Sequence, residues 1–318
     1  MLWYSAVIVL GLLALVWSAD RFVEGASAIA RRVGLSPWVI GLTIVSFGTS
    51  APEILISVMS AAAGSGELAV GNALGSNIAN IGLVLGTTLV MGSIALNKET
   101  VFIDLPILIA TVLLTWVLLI DLVLSPANSL VLLCALGLFF ARILHHARTS
   151  AQDRGKDVPA QLSAIAEWNY FVGGLLLLIA ASRALVWAAS HIAATLGVSE
   201  LVIGLTIVAV GTSLPELAAS VASAFKGHAD MAVGAIVGSN MLNILLVLAI
   251  PGLWGSILLQ SEVITRDMGA VFVTTLALAL AALGRWNGVS QTCSLKWGTG
   301  MLLLTLYAVY YVWLFATP

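Results

Sequence analysis

Residues 34–58 read GLSPWVIGLTIVSFGTSAPEILISV, and residues 197–221 read GVSELVIGLTIVAVGTSLPELAASV. The two stretches lie 163 positions apart. The correspondence continues without a gap, so that AVGNALGSNIANIGLVL at 69–85 falls on AVGAIVGSNMLNILLVL at 232–248. Over residues 34–85, 30 of 52 positions are identical at this shift, more than shared hydrophobicity alone yields. The chain contains two copies of one unit.

What surrounds the copies is apolar. Of 318 residues, 60% are hydrophobic and 9% charged, against about 45–50% apolar and about 25% charged in soluble domains. This is the composition of a multi-pass membrane protein, with the lipid bilayer as its solvent. A net charge of −2 provides neither a basic surface for nucleic acid nor an acidic tail. Cys134 and Cys293 lack metal-type spacing. The opening MLWYSAVIVLGLLALVW has no basic region ahead of it and no cleavage site, so it reads as a retained first span.

A span needs about 20 mainly apolar residues. That ruler predicts ten, at 2–30, 37–62, 68–92, 101–120, 127–146, 168–194, 200–224, 230–254, 268–284 and 297–316. The polar stretch HHARTSAQDRGKDVPAQLS at 145–163 separates them. The expected organisation is a five-helix repeat over 1–146, a linker over 147–163 and a second five-helix repeat over 164–318. An odd number of spans per repeat turns one copy upside down relative to the other. The expected fold is therefore all-α and polytopic: ten transmembrane helices as two inverted-topology five-helix repeats. With the N-terminus outside, ten basic residues fall in inside loops (Arg31, Arg32, Lys98, Arg142, Arg148, Arg154, Lys156, Lys226, Arg285 and Lys296) and only Arg266 in an outside one. The positive-inside rule then predicts both termini outside and a cytoplasmic central loop, in a plasma (inner) membrane.

Glu53 and Glu216, related by the repeat, are expected to be the only carboxylates deep inside spans. An acid there costs about 2.5–3.5 kcal/mol on insertion scales and normally faces a polar pathway. Ser46, Thr49, Ser50, Glu53 and Ser57 fall at helical spacings and align oxygens on one face. Thr212, Ser213, Glu216 and Ser220 repeat most of that stripe, with Ala209 in place of Ser46. Pro52 and Pro215 each remove a helical N–H, which is expected to free carbonyls near Val45, Ser46, Gly48 and Ala209. In GSNIAN and GSNMLN, Ser76 and Asn80 share a face, as do Ser239 and Asn243. Asn77 and Asn240 are offset and suit helix–helix hydrogen bonds, while Gly71, Gly75, Gly234 and Gly238 suit close packing.

All these donors are hard oxygens, a set that suits Ca2+, whereas transition metals would ask for His or Cys. His145, His146, His191 and His228 all sit near span ends. Two glutamates also balance one divalent ion.

The twin motifs GTSAPE/GTSLPE and GSNIAN/GSNMLN resemble the α-repeats of the calcium/cation antiporter superfamily, whose best-known members are sodium/calcium exchangers. The resemblance covers nearly the whole chain. It implies ten helices, one central calcium site with several sodium sites, and sodium-for-calcium exchange by alternating access. The first and sixth helices are implied to slide as a gating pair. Carried over by position, the calcium site comprises Glu53, Glu216 and oxygens at Thr49 and Thr212. The sodium sites use Ser50, Ser213, Ser76, Ser239, Asn80 and the carbonyls of Ser46 and Ala209. Asn243 belongs to the same polar set but stands where some prokaryotic members carry aspartate, leaving two acids in place of three. Proton-coupled members tend to lose the polar residue at the Asn80 and Asn243 positions.

Calcium/proton exchange is the alternative within carriers, and a cation channel is a remoter one. An enzyme would need a base near Ser50 or Ser213, and no span places a histidine there. No cofactor is expected; the transported ions are Ca2+ and Na+.

Overall fold

The structure, a computed structural model, describes residues 2–152, 163–197 and 209–316. Helix α1 (Leu2–Val33) leads into a broken span, α2 (Pro37–Thr49) and α3 (Ala51–Ala62), bent by 45°. There follow α4 (Gly66–Met91), β1 (Ile94–Asn97), α5 (Thr100–Leu118), β2 (Val123–Leu124) and α6 (Pro126–Gln152). The second half contains α7 (Ala164–Thr195), α8 (Ala209–Thr212), α9 (Leu214–Phe225) and α10 (Ala229–Trp254). It ends with β3 (Ile257–Leu258), α11 (Val263–Gly284), β4 (Trp286–Asn287), β5 (Thr292–Leu295) and α12 (Trp297–Ala316).

Among the described residues, eight unbroken helices are long and apolar enough to cross a membrane, and the bent pair α2–α3 makes a ninth span. The seventh expected span, 200–224, starts within residues 198–208, outside the described residues; α8 and α9 are its described part. Helix α6 continues to Gln152, six residues past the expected end of the first repeat. The membrane-crossing elements are all helical, as expected of an all-α membrane fold. Short strands join the loops: β1, β5 and β4 form one antiparallel sheet, and β2 pairs with β3 in another.

The local reasons for the breaks recur at the 163-residue shift. Proline occupies the first turn of both α3 and α9, where a missing N–H does no harm to the helix that follows. The residues before them, Ser50 and Ser213, leave helical geometry in the same way, at φ −81°, ψ 5° and φ −87°, ψ 3°. Gly64 and Gly227 end α3 and α9 at φ +75° and +78°, the left-handed conformation that glycine adopts without Cβ strain.

Helices α4 and α10 are the centre of the molecule. Their most apolar stretches are 72% and 94% buried, against 17% for α12, which presents most of its surface outward. The main apolar cluster gathers Leu42, Leu74, Leu85, Leu105, Leu245 and Met268 around them. A second cluster lies between α1 and α7, built from Phe22, Val23, Phe171, Leu178 and neighbouring alanines. There Gly25 meets the backbone of Phe171, and Gly174 that of Phe22, so the two long helices touch backbone to backbone.

Candidate functional site

The two breaks bring opposite repeats together. Helix α2 lies along α10, where Gly234 faces the Trp38 carbonyl and Gly238 the Leu42 carbonyl. The close packing expected of these glycines is present. For Gly71 and Gly75, the 163-residue shift places the matching partner within 198–208, outside the described residues.

This packing places Ser50, at the break, within 3.1 Å of Glu216 Oε1 and 3.0 Å of Ser239 Oγ. Thr49 also lies beside Glu216. Glu53 Oε1 receives the Ser76 hydroxyl at 3.5 Å, and the Glu53 carbonyl receives Asn72 Nδ2 at 3.2 Å. The two carboxylates are near enough to interact electrostatically. Glu53 is fully buried and Glu216 is 3% exposed.

Ser46, Thr49, Ser50, Ser76, Ser213, Ser239, Asn80 and Asn243 are all buried with them. Thr212 is half-buried in α8. Ala209 begins that helix, and its side chain is outside the described residues. The stretch carrying Asn80 packs against α9, and the stretch carrying Asn243 against α3 and α4, so each amide approaches the opposite repeat. Both begin a π-helical turn. Such turns also open α5 and α11, so the turn alone does not mark a site.

The unpartnered atoms do mark one. Among the described residues, Glu53 Oε2, Glu216 Oε2, Ser213 Oγ, Ser220 Oγ and both amide atoms of Asn80 and of Asn243 are buried without a hydrogen-bond partner. Leaving one buried polar group unmade costs about 1–3 kcal/mol, and more for a charge. So many in one place require either a bound species or an energy the fold does not return. The donors are all oxygens apart from the amide nitrogens. Among the described residues no group of three or more His, Cys, Asp or Glu forms a metal cluster, so the site has two acids with hydroxyls and amides around them.

Several expectations need correction. The Ser46 carbonyl is not left free: it accepts the Ser50 N–H at 2.9 Å, while the Thr49 hydroxyl, 3.4 Å away, has a nearer acceptor in Val45, so one of its two lone pairs is spare. The Val45 carbonyl accepts the Thr49 hydroxyl at 3.1 Å. The carbonyl that Pro52 deprives of its helical partner is that of Gly48, four residues back. In the second repeat the matching Gly211 carbonyl accepts the Ser182 hydroxyl of α7 at 2.7 Å. Asn77 and Asn240 bond to Ala73 and Ile236 in their own helices, not across to a neighbour.

Burial is not confined to Glu53 and Glu216, although the other buried acids lie at or beyond the ends of the expected spans. Glu167, Asp104 and Asp267 are buried as well. Each is paired: Glu167 with Arg32, Asp104 with Arg142, and Asp267 with Arg266 and the Tyr310 hydroxyl. Asp104 and Asp267 are 163 positions apart, so the repeat itself carried the signal. What separates them from the central pair is an arginine. Among the described residues, no cationic side chain is bonded to Glu53 or Glu216, whose side-chain partners are hydroxyls.

Ser57 lies on the same stripe, and its hydroxyl reaches the Val247 carbonyl at 2.6 Å. Pro251 has no N–H for that carbonyl, so a serine from the other repeat supplies the donor. In the first repeat Thr88 bonds its own helix at Val84, and Ser220 is left over.

A fold that buries two acids among oxygen ligands at paired helix breaks defines a cation carrier of the membrane. The chain matches the family described as sodium/calcium exchanger protein over residues 3–144 and 167–316, and it belongs to that family. It is 39% identical over 325 residues to the putative antiporter CaxA of Alkalimonas amylolytica, covering 100% of both chains. It is 33% identical to the inner membrane protein YrbG of Escherichia coli, covering 99% of this chain and 98% of that one. Solved structures of the sodium-calcium exchanger NCX_Mj soaked with Na+ and Sr2+ superpose with a TM-score of 0.83 at 31% identity, over 97% of each chain. The protein is a multi-pass integral membrane antiporter of the cation/calcium class, and its relatives are transporters, not enzymes.

Proposed function

We propose that the chain exchanges sodium for calcium by alternating access, through ten helices arranged as two inverted five-helix repeats. The observation that carries this reading is the pair of buried carboxylates without a cation partner, set among unpartnered oxygens drawn from both repeats. Two ionised carboxylates in a low-dielectric site need compensating positive charge, and a dehydrated Ca2+ supplies both that charge and a use for six to eight oxygens. Glu53 and Glu216 hold calcium, with Thr49 and Thr212 beside them. Ser50, Ser213, Ser76, Ser239, Asn80, Asn243 and the carbonyls of Ser46 and Ala209 serve sodium. That assignment uses more oxygens than one calcium needs. It is supported by the kinship to an exchanger studied with Na+ and Sr2+.

In this reading α1 and α7 move as one body across the remainder. Backbone contact at Gly25 and Gly174 binds them together, and Arg32 grips Glu167 with two bonds, at 2.5 and 2.9 Å. In this reading both termini lie outside and the linker 147–163 lies in the cytoplasm, which the lysine and arginine distribution supports.

A carrier and a channel part company in flux. Purified protein in vesicles should take up radiolabelled Ca2+ at a rate that saturates and that requires a counter-ion on the other side. Uncoupled calcium conductance would overturn the exchange reading.

A further inference from the structure

Among the described residues, Lys226 ties the α9–α10 turn to α1 by an ion pair that has no counterpart in the other repeat. Lys226 sits on that turn, immediately before Gly227 with its left-handed φ of +78°. Its Nζ lies 2.8 Å from Asp20 Oδ1 and 3.9 Å from Glu24 Oε2 on α1. Asp20 and Glu24 are four residues apart and share a helix face. Arg21 holds Glu24 from the other side at 3.1 Å. Arg31 and His228 also face this turn, and burial together with Arg31 and Lys226 holds the His228 imidazole below its ordinary range, so it adds no charge at neutral pH. Asp20 and Lys226 are 46% and 27% exposed, so the contact can be made and broken at modest cost.

Beneath the ion pair, the surfaces of α1 and α9 are smooth. Ala19, Ala26 and Ala30 of α1 and Ala218, Ala219 and Ala222 of α9 belong to the same apolar cluster, where the two helices pack together. A face made of methyl groups holds no register of its own, whereas a displacement of one helical turn, about 5.4 Å, takes Asp20 out of reach of Lys226. At the 163-residue shift, Asp20, Glu24 and Lys226 become Arg183, Trp187 and Ala63. No ion pair of this kind can form there.

We propose that Lys226 is a positioning residue of the transport cycle: with Asp20 and Glu24 it latches α1 against the α9–α10 turn, and this favours the state closed on that side over its mirror state. The inference rests on the alternating-access reading above. It makes the two otherwise repeat-related end states unequal in energy.

The test uses the full chain in proteoliposomes, with Cys134 and Cys293 replaced and a reporter cysteine introduced as Ala222→Cys, under the latch. Modification by a water-soluble thiol reagent from the Lys226 side is timed without ions and with Ca2+ or Na+. Lys226→Gln should raise the ion-free rate about two- to fivefold, the scale of one partly exposed ion pair. Lys226→Arg should keep the original rate, and the swap Asp20→Lys with Lys226→Asp should return toward it. A merely structural lysine would not be restored by the swap. If Lys226→Gln leaves the rate unchanged, or the swap restores nothing while Lys226→Arg behaves normally, the latch is overturned. Labelling indifferent to both ions in the parent protein overturns the alternating-access reading itself, and the latch with it.

Discussion

Glutamine at position 53 or 216 keeps the shape of the side chain and removes one negative charge. Because the carboxylates' side-chain partners are hydroxyls, that charge has no local substitute. Glu53→Gln and Glu216→Gln should each reduce calcium exchange at least about tenfold, the scale of losing one charged ligand interaction. The thermal stability of the purified protein should stay near or above the parent value, because a neutral amide is less costly to bury than an unpaired carboxylate. Normal calcium uptake by either variant would remove these residues from the site. Acid should act in the same direction, since a proton on either carboxylate displaces the charge that calcium requires. The contrast with Asp104 and Asp267 matters here: those acids have arginine partners, so their burial is explained by the fold.

At the scale of elements, the crossing of α2 over α10 sets the geometry of the site. A side chain at Gly238 would run into the Leu42 carbonyl and the Ser46 hydroxyl, and backbone there cannot give way cheaply. Gly238→Val should destabilise the protein by about 1–3 kcal/mol or more, read as a lower unfolding temperature in detergent. Gly284→Ala, at the end of α11 where nothing lies within 4 Å, should change little. An unaltered unfolding temperature for Gly238→Val would contradict the described crossing.

The breaks at Ser50 and Ser213 were legible in the sequence because proline acts locally, through its own missing N–H. The stripe of oxygens was legible because helical spacing is local too. The partners were not. Nothing in the sequence says that Ser57 reaches Val247, that Ser182 reaches Gly211, or that Ser46 keeps its carbonyl occupied, because those facts depend on how helices cross. Asp104 escaped notice for another reason. It stands near the end of its span, where an acid is cheap enough to pass as interfacial, and its arginine lies 38 residues away on α6.

At the scale of the whole molecule, the repeat explains why the two small sheets differ in partner but not in plan. Strand β1 pairs with β5, which pairs in turn with β4; at the 163-residue shift β3 takes the place of β1, and β2 that of β4. The proposed inverted arrangement requires these sheets to cap opposite membrane faces. In a background lacking native cysteines, Ser290→Cys near β5 should react with impermeant reagents only from the cytoplasm, and Ser261→Cys beside β3 only from outside. Both positions are exposed. Labelling of both from one face would remove the inverted repeat.

Sodium, not a proton, is the proposed partner exchanged for calcium through this site. A proton needs no coordination shell, whereas sodium needs several oxygens around it, and the unpartnered groups of Asn80, Asn243 and Ser213 are available for that purpose. The direct measurement is radiolabelled Ca2+ uptake into proteoliposomes loaded with sodium, diluted into sodium-free buffer at the same pH on both sides. The outward sodium gradient should drive calcium inward and concentrate it, and collapsing that gradient should abolish the accumulation. Calcium that accumulates only under an imposed pH gradient, and ignores sodium, would contradict the account.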